Sequence, residues 1–360
     1  MNSRKLPWTT LSHCAAIVAL ANVFTFAFAA DHAELSISSH AINEEMFVPI
    51  GGIDQWITIK GQDRRNPIVL FLHGGPGDPL SPYADSIYGP AWQERLTLVQ
   101  WDQRGAGRTY GKSGPSIGST LTIERMVQDG IEVAEFLTKH LHKKKIIITG
   151  SSWGSILGVY MAKARPDQFY AYVGTAQVVN MKLNSGYETV LALARAAGDE
   201  KAVAELDAIG SPPWDTLRKL GTLLRWQRIY EAEKAPKTIT LSSLSAEYAG
   251  VQDRADYAAG EELSFVTFFG ATLSGPIMQV DLSALGTTFA IPVFIIQGQQ
   301  DLRAPAKLAK AYFDEIEAPR KQFFVVPGSS HEPSRDSTDE LLKVLLGQVR
   351  PLALEHPRNP

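Results

Sequence analysis

Short, nearly uninterrupted apolar runs recur along the chain at residues 68–72, 96–101, 146–149, 172–175, 292–297 and 322–326. Runs of that length without polar alternation are expected of parallel strands covered on both faces. Between them, at 123–141, 155–164 and 307–316, the apolar positions take up helical spacing. The resulting β-α-β-α rhythm predicts an α/β fold, a mostly parallel central sheet flanked by helices. Upstream, residues 45–50 and 55–59 flank Gly51-Gly52 and predict an antiparallel hairpin at the sheet edge. The rhythm breaks once. Residues 179–285 are helix-rich, with Trp214, Trp226 and Tyr230 among scattered acids and no convincing core strand. They are expected to form a helical cap inserted between two parts of the core, 30–178 and 286–360.

The N-terminal stretch follows another pattern. Arg4 and Lys5 precede a charge-free apolar run over 14–30 that ends in Ala27-Phe28-Ala29, the small-x-small pattern of a signal-peptidase site. Residues 1–29 are therefore expected to be a signal peptide, with the mature chain exported to a periplasm or to the medium and free of the membrane. The single cysteine, Cys14, would leave with it, and a cysteine-free mature chain suits an oxidising compartment. One cysteine also excludes a disulfide scaffold and a Cys-rich metal site. Over the 360 residues, 35 Lys and Arg stand against 38 Asp and Glu, so no basic field exists to hold a nucleic acid.

The chemistry falls at strand ends. Gly150-Ser151-Ser152-Trp153-Gly154 follows the strand at 146–149 and opens a helix, the setting of a G-x-S-x-G turn that exposes a strained serine hydroxyl. Ser152 is the candidate nucleophile, and a serine of ordinary pKa needs a base. Of the eight histidines, only His331 follows a late apolar strand across a Pro-Gly-Ser-Ser loop that returns it to the sheet's carboxyl edge. An acid should then orient the imidazole. Asp301 follows the strand at 292–297 through Gly298-Gln299-Gln300 and is the best-placed carboxylate. The oxyanion of such an attack needs amide donors, and the turn His73-Gly74-Gly75-Pro76-Gly77 offers Gly75 while Trp153 follows the nucleophile. No metal or cofactor is required.

The order Ser152, Asp301, His331 is that of α/β-hydrolases. HGGPG at 73–77, DQRGAGR at 102–108 and GSSWGS at 150–155 together resemble the signature set of prolyl aminopeptidase-like (proline iminopeptidase) serine hydrolases, over roughly residues 45 to 350. The resemblance implies an α/β-hydrolase core with a helical cap, releasing an N-terminal residue, preferentially proline, from peptides. It also implies cap carboxylates that hold the substrate's free amino group, since a buried ammonium must be paired. Trp226-Gln227-Arg228-Ile229-Tyr230-Glu231 resembles the cap segment in which an aromatic precedes a glutamate, making Glu231 the first candidate. Glu261 and Glu262 are the second, with Gly74 on the substrate side of the glycine turn. The competing expectation is an esterase, lactonase or amidase that encloses a small neutral substrate with the same three residues. An epoxide hydrolase or dehalogenase would carry Asp where this chain has Ser152, and a binding protein would have no need of the full set. Oligomeric state is not legible in the sequence.

Overall fold

The computed structural model describes residues 40–182, 186–235, 238–239 and 244–355. The expected signal peptide lies outside the described residues. Everything described falls within one compact unit. Among the described residues no helix is long and apolar enough to cross a membrane.

The strands are β1 (Ile42–Ile50), β2 (Ile53–Gly61), β3 (Ile68–Leu72), β4 (Thr97–Trp101), β5 (Ile146–Ser151), β6 (Phe169–Thr175), β7 (Val293–Gly298) and β8 (Lys321–Val326). They form an eight-stranded sheet in the order β1-β2-β4-β3-β5-β6-β7-β8. The β1–β2 hairpin pairs antiparallel and joins β4 antiparallel, and all the remaining pairings are parallel. Strand alternation divides the core into two layers. Ile68, Leu70 and Leu72 of β3 pack into one, Val69 and Phe71 into the other. β8 closes the far edge and is largely exposed.

The larger helices are α1 (Gly107–Ser113), α2 (Ile123–His140), α3 (Trp153–Ala164), α4 (Tyr187–Ala197), α5 (Glu200–Ile209), α6 (Leu217–Lys234), α7 (Val251–Phe269), α8 (Ala306–Glu315) and α9 (Arg335–Val344). Thr122 caps α2 by accepting from the Arg125 amide at 3.1 Å, and a Ser334–Ser337 capping box starts α9. Helices α4 to α7 occupy the stretch between β6 and β7, where the strand rhythm breaks in the sequence. That stretch is tied at its root: Asn180 bridges Asp281, and the Leu282 amide donates to the Val179 carbonyl at 2.9 Å. Its own core gathers Tyr187, Leu191, Leu206, Leu223, Trp226 and Tyr230 around Leu302 of the sheet's β7–α8 loop.

Boundaries shift by one to three residues from the sequence reading. β6 begins at Phe169, because the half-buried Tyr170 interrupts the apolar run that marks the strand. α3 begins at Trp153, two residues before the expected start. The sheet reverses its order around β3. Its two neighbours, β4 and β5, lead the chain to opposite sides, and a crevice opens there at the carboxyl ends of the strands. The glycine turn after β3 and the serine turn after β5 both sit at that crevice.

Candidate active site

Backbone packing dictates the serine turn. A Cβ on Gly150 would lie 2.1 Å from the Gly154 carbonyl oxygen, and one on Gly154 would lie 1.9 Å from the Leu72 carbonyl oxygen, so both positions must be glycine for α3 to start against β3 and β5. Between them Ser152 is held at φ 53°, ψ −117°, a strained conformation for a side-chain-bearing residue. Trp153 is the first residue of α3, so its amide has no intrahelical acceptor and points with the positive end of the helix.

Three loops bring the chemistry together. His331 Nε2 lies 2.9 Å from Ser152 Oγ, and His331 Nδ1 lies 2.9 and 3.0 Å from the two Asp301 oxygens. Asp301 is buried and also accepts from the Ala304 amide at 2.7 Å, the Arg303 amide at 3.0 Å and Gln297 Nε2 at 3.0 Å. With that many donors the carboxylate is pinned, and it fixes the imidazole with Nδ1 as donor and Nε2 facing the hydroxyl. The arrangement can pass a proton from a serine to an imidazole and stabilise the imidazolium that results.

The glycine turn is anchored from below. His73 is buried, and burial lowers its pKa to about 4, so the ring is neutral. Its Nδ1 donates to the Gly74 carbonyl at 2.9 Å while Nε2 accepts from the Gln103 amide at 3.2 Å. Gln103 in turn accepts from Trp153 Nε1 at 2.9 Å, so one side chain ties the glycine turn to the serine turn. Gly75 takes φ 106°, where a Cβ would lie 2.6 Å from the Gly77 amide nitrogen. The neighbouring Arg104 forms a buried pair with Asp129 at 2.6 Å and donates to the Gly51 carbonyl at 2.8 Å, fastening the 102–108 loop to α2 and the β1–β2 turn.

A cavity of about 160 Å³ opens above Ser152, bordered by Gly74, Gly75, Trp153, Glu261 and His331 among others. The described arrangement thus brings Ser152, Trp153, Gly74, Gly75, Glu261 and His331 around one space, with Asp301 directly behind. Glu262, beside Glu261 on α7, is exposed and does not border the cavity. Nor does Glu231. Its Oε1 accepts from the Leu302 amide at 2.7 Å and its Oε2 from Arg303 Nε at 3.0 Å, so both oxygens are engaged by the loop that carries Asp301. Arg303 also reaches Glu332 at 2.7 Å, the residue after His331. A Glu231–Arg303–Glu332 clamp therefore joins α6 to both loops that position the imidazole.

The match to known proteins is decisive at the level of family. The model of the alpha/beta hydrolase fold matches residues 67–336. This chain belongs to the alpha/beta hydrolase family. It is 31% identical to a "Probable aminopeptidase YbaC" of Bacillus subtilis (strain 168), over 82% of this chain and 92% of that one. A "Proline iminopeptidase" of Clostridioides difficile (strain 630) is 24% identical over 84% of this chain and 96% of its own. Among solved structures, a proline iminopeptidase of Mycobacterium smegmatis superposes with a TM-score of 0.64 at 21% identity, covering 87% of this chain and 100% of that one, a likeness of fold.

In this alpha/beta hydrolase, two pocket groups escape a reading of the sequence. Asp78 follows the glycine turn directly, borders the cavity, and accepts a hydrogen bond from Tyr257 of α7. Burial raises its pKa to about 6 against that bond, with Glu261 and Glu332 adding to the rise and Arg228 opposing it. Arg303 is the second. It stands two residues from Asp301, but its partners are 72 and 29 positions away, so no local pattern signals it.

Proposed function

We propose that this alpha/beta hydrolase is a serine hydrolase, and that it acts as an aminopeptidase releasing an N-terminal proline or another small residue from peptides. The 2.9 Å approach of His331 Nε2 to Ser152 Oγ, with Asp301 behind the ring, carries the reading. Ser152 Oγ bonds to the substrate carbonyl carbon as its proton moves to His331 Nε2. The Gly75 and Trp153 amides receive the oxyanion, and His331 returns the proton to the departing amine. Water attacks the acyl-enzyme through the same base, freeing the acid and restoring the serine.

Asp78 and Glu261 support the free-amine preference. Both border the cavity beside the oxyanion turn, where an ammonium on the carbon next to the scissile carbonyl needs a counter-charge. One observation favours the second reading, an esterase, lactonase or amidase on a small neutral substrate. Glu231, the carboxylate that the family resemblance assigns to the amine, is occupied by Arg303.

The test is a matched panel on the purified mature chain: prolyl and alanyl arylamides with free amines, the same compounds N-blocked, and short aryl esters. Cleavage of free-amine arylamides with blocked ones inert is the expected result; turnover of esters alone would replace the aminopeptidase reading with the second. We also read the protein as exported through residues 1–29. N-terminal sequencing of the mature product from its source cell should begin at residue 30 or 31, and an intact Met1 would overturn the export.

A further inference from the structure

The space above Ser152 has a neighbour on its helical side. A second cavity of about 310 Å³ adjoins it beneath α6, walled by Met181, Trp214, Leu220, Leu224, Phe269 and Met278. Met181, Leu224, Phe269 and Arg303 border both spaces, so a single layer of shared side chains forms the partition between them. The adjoining cavity adds about 310 Å³ to the 160 Å³ above Ser152, which suits a small residue. Its polar groups are largely committed elsewhere. Trp214 Nε1 donates to the Gly210 carbonyl at 2.8 Å, and the Arg303 guanidinium is held by Glu231 and Glu332 at 2.9 and 2.7 Å. Lys182 and Gln227 also line it, the first reaching Gln279 Oε1 at 3.4 Å and the second donating to the Leu302 carbonyl at 2.7 Å, and the rest is mostly aliphatic, thioether and aromatic surface, which gains by contact with an apolar group.

We propose that this cavity is a subsite for a large apolar part of the substrate, a linear alkyl chain or an aryl group of similar bulk, reached by displacing the shared side chains. The inference rests on the reading of Ser152 as a hydrolytic nucleophile. The substrate class that follows is amphipathic: a carbonyl at Ser152, a polar or cationic end toward Asp78 and Glu261, and an apolar end beneath α6. Small prolyl peptides would leave most of the available surface unused.

The experiment lengthens one end of the substrate at a time. One series runs from p-nitrophenyl acetate to p-nitrophenyl decanoate, the other from the methyl to the octyl ester of alanine, all kept below their aggregation limits. Each methylene that enters the cavity should raise kcat/KM about fourfold until the space is full, in the series whose variable end points that way. Met278→Trp, which fills the cavity from a half-buried position, should lower the long-to-short ratio of kcat/KM in that series at least tenfold, and Met278→Leu should keep most of it. Turnover of the short members with no climb in either series overturns the subsite, as does a ratio that Met278→Trp leaves unchanged. Absence of turnover at every length removes the hydrolase reading and the subsite with it, so the two failures are distinguishable.

Discussion

The two sides of the catalytic pocket are built by different means. On the sheet side, the serine and glycine turns are set by backbone meeting backbone: Gly154 lies against the Leu72 carbonyl and Gly75 against the Gly77 amide. On the helical side, the pocket is shaped by long side chains that meet across great sequence distances, Glu231 with Arg303 and Tyr257 with Asp78. Backbone packing tolerates almost no change, whereas a side-chain contact can be remade by another pair. The sheet side should therefore resist substitution absolutely, and the helical side should respond in graded, substrate-dependent ways.

The largest effect belongs to the sheet side. Ser152→Ala should lower kcat/KM on the order of 10⁴-fold or more with an unchanged circular dichroism spectrum. A variant retaining a tenth of the wild-type rate would displace Ser152 from the chemistry. Gly154→Ala comes next. Its Cβ would press 1.9 Å from the Leu72 oxygen, and neither strand nor helix can yield without losing the turn, so a loss of at least about 3 kcal/mol in urea unfolding, or no soluble protein, is expected. Near-normal stability would mean that α3 can move away from β3.

His73 gives the sheet side a pH signature. Folded, its pKa lies at about 4; unfolded, it returns to roughly 6.5. Between those values the unfolded chain binds a proton that the fold refuses, so the stability due to the neutral ring is present above 6.5 and is lost as the pH falls toward 4, by about 3 kcal/mol. Asp78 and Asp102 work in the opposite direction, because burial raises each to about 6 and their ionisation destabilises the fold as the pH rises. Comparing wild type with His73→Gln isolates the histidine. The difference in unfolding free energy between the two should shrink by about 3 kcal/mol from pH 7 to pH 4, and a difference independent of pH would show that the ring is not held neutral.

Where the two sides meet, the comparison sharpens into a contrast of two acids, Asp78 from the sheet side and Glu231 from the helical side. Asp78→Asn should raise KM about tenfold or more for free-amine arylamides and leave N-blocked substrates little changed. Glu231→Gln should instead lower kcat on every substrate by a similar factor, because it loosens the clamp on the loop that carries Asp301. Selectivity for free amines in Glu231→Gln, with none in Asp78→Asn, would reverse the two assignments.

The same contrast explains what was legible in the sequence. The alternation of strands and helices, the two glycine-bearing turns and the residues Ser152, Asp301 and His331 could be placed from local patterns, because each sits in the few residues after a strand. Gln103 stood in plain view inside the 102–108 segment, yet its bond to Trp153 spans 50 positions and leaves no local trace. Glu231 shows the limit most clearly. Resemblance picks out its position, but the partner that engages it, Arg303, lies 72 residues on, and only the fold shows that both carboxylate oxygens are already used. Carboxylates on inserted helices look alike in sequence whether they face solvent, a cation or a substrate.

The smallest effect tests whether the helical side tolerates change where no partner is involved. Gly221 lies within α6, and a Cβ there meets nothing within 4 Å. Glycine in a helix interior costs conformational entropy that alanine does not, so Gly221→Ala should stabilise the protein by up to about 1 kcal/mol without altering kcat/KM. The same Gly-to-Ala change at position 154 should be ruinous. If Gly221→Ala instead destabilises or slows turnover, α6 is under a backbone constraint like that of the serine turn, and the distinction between the two sides of the pocket fails.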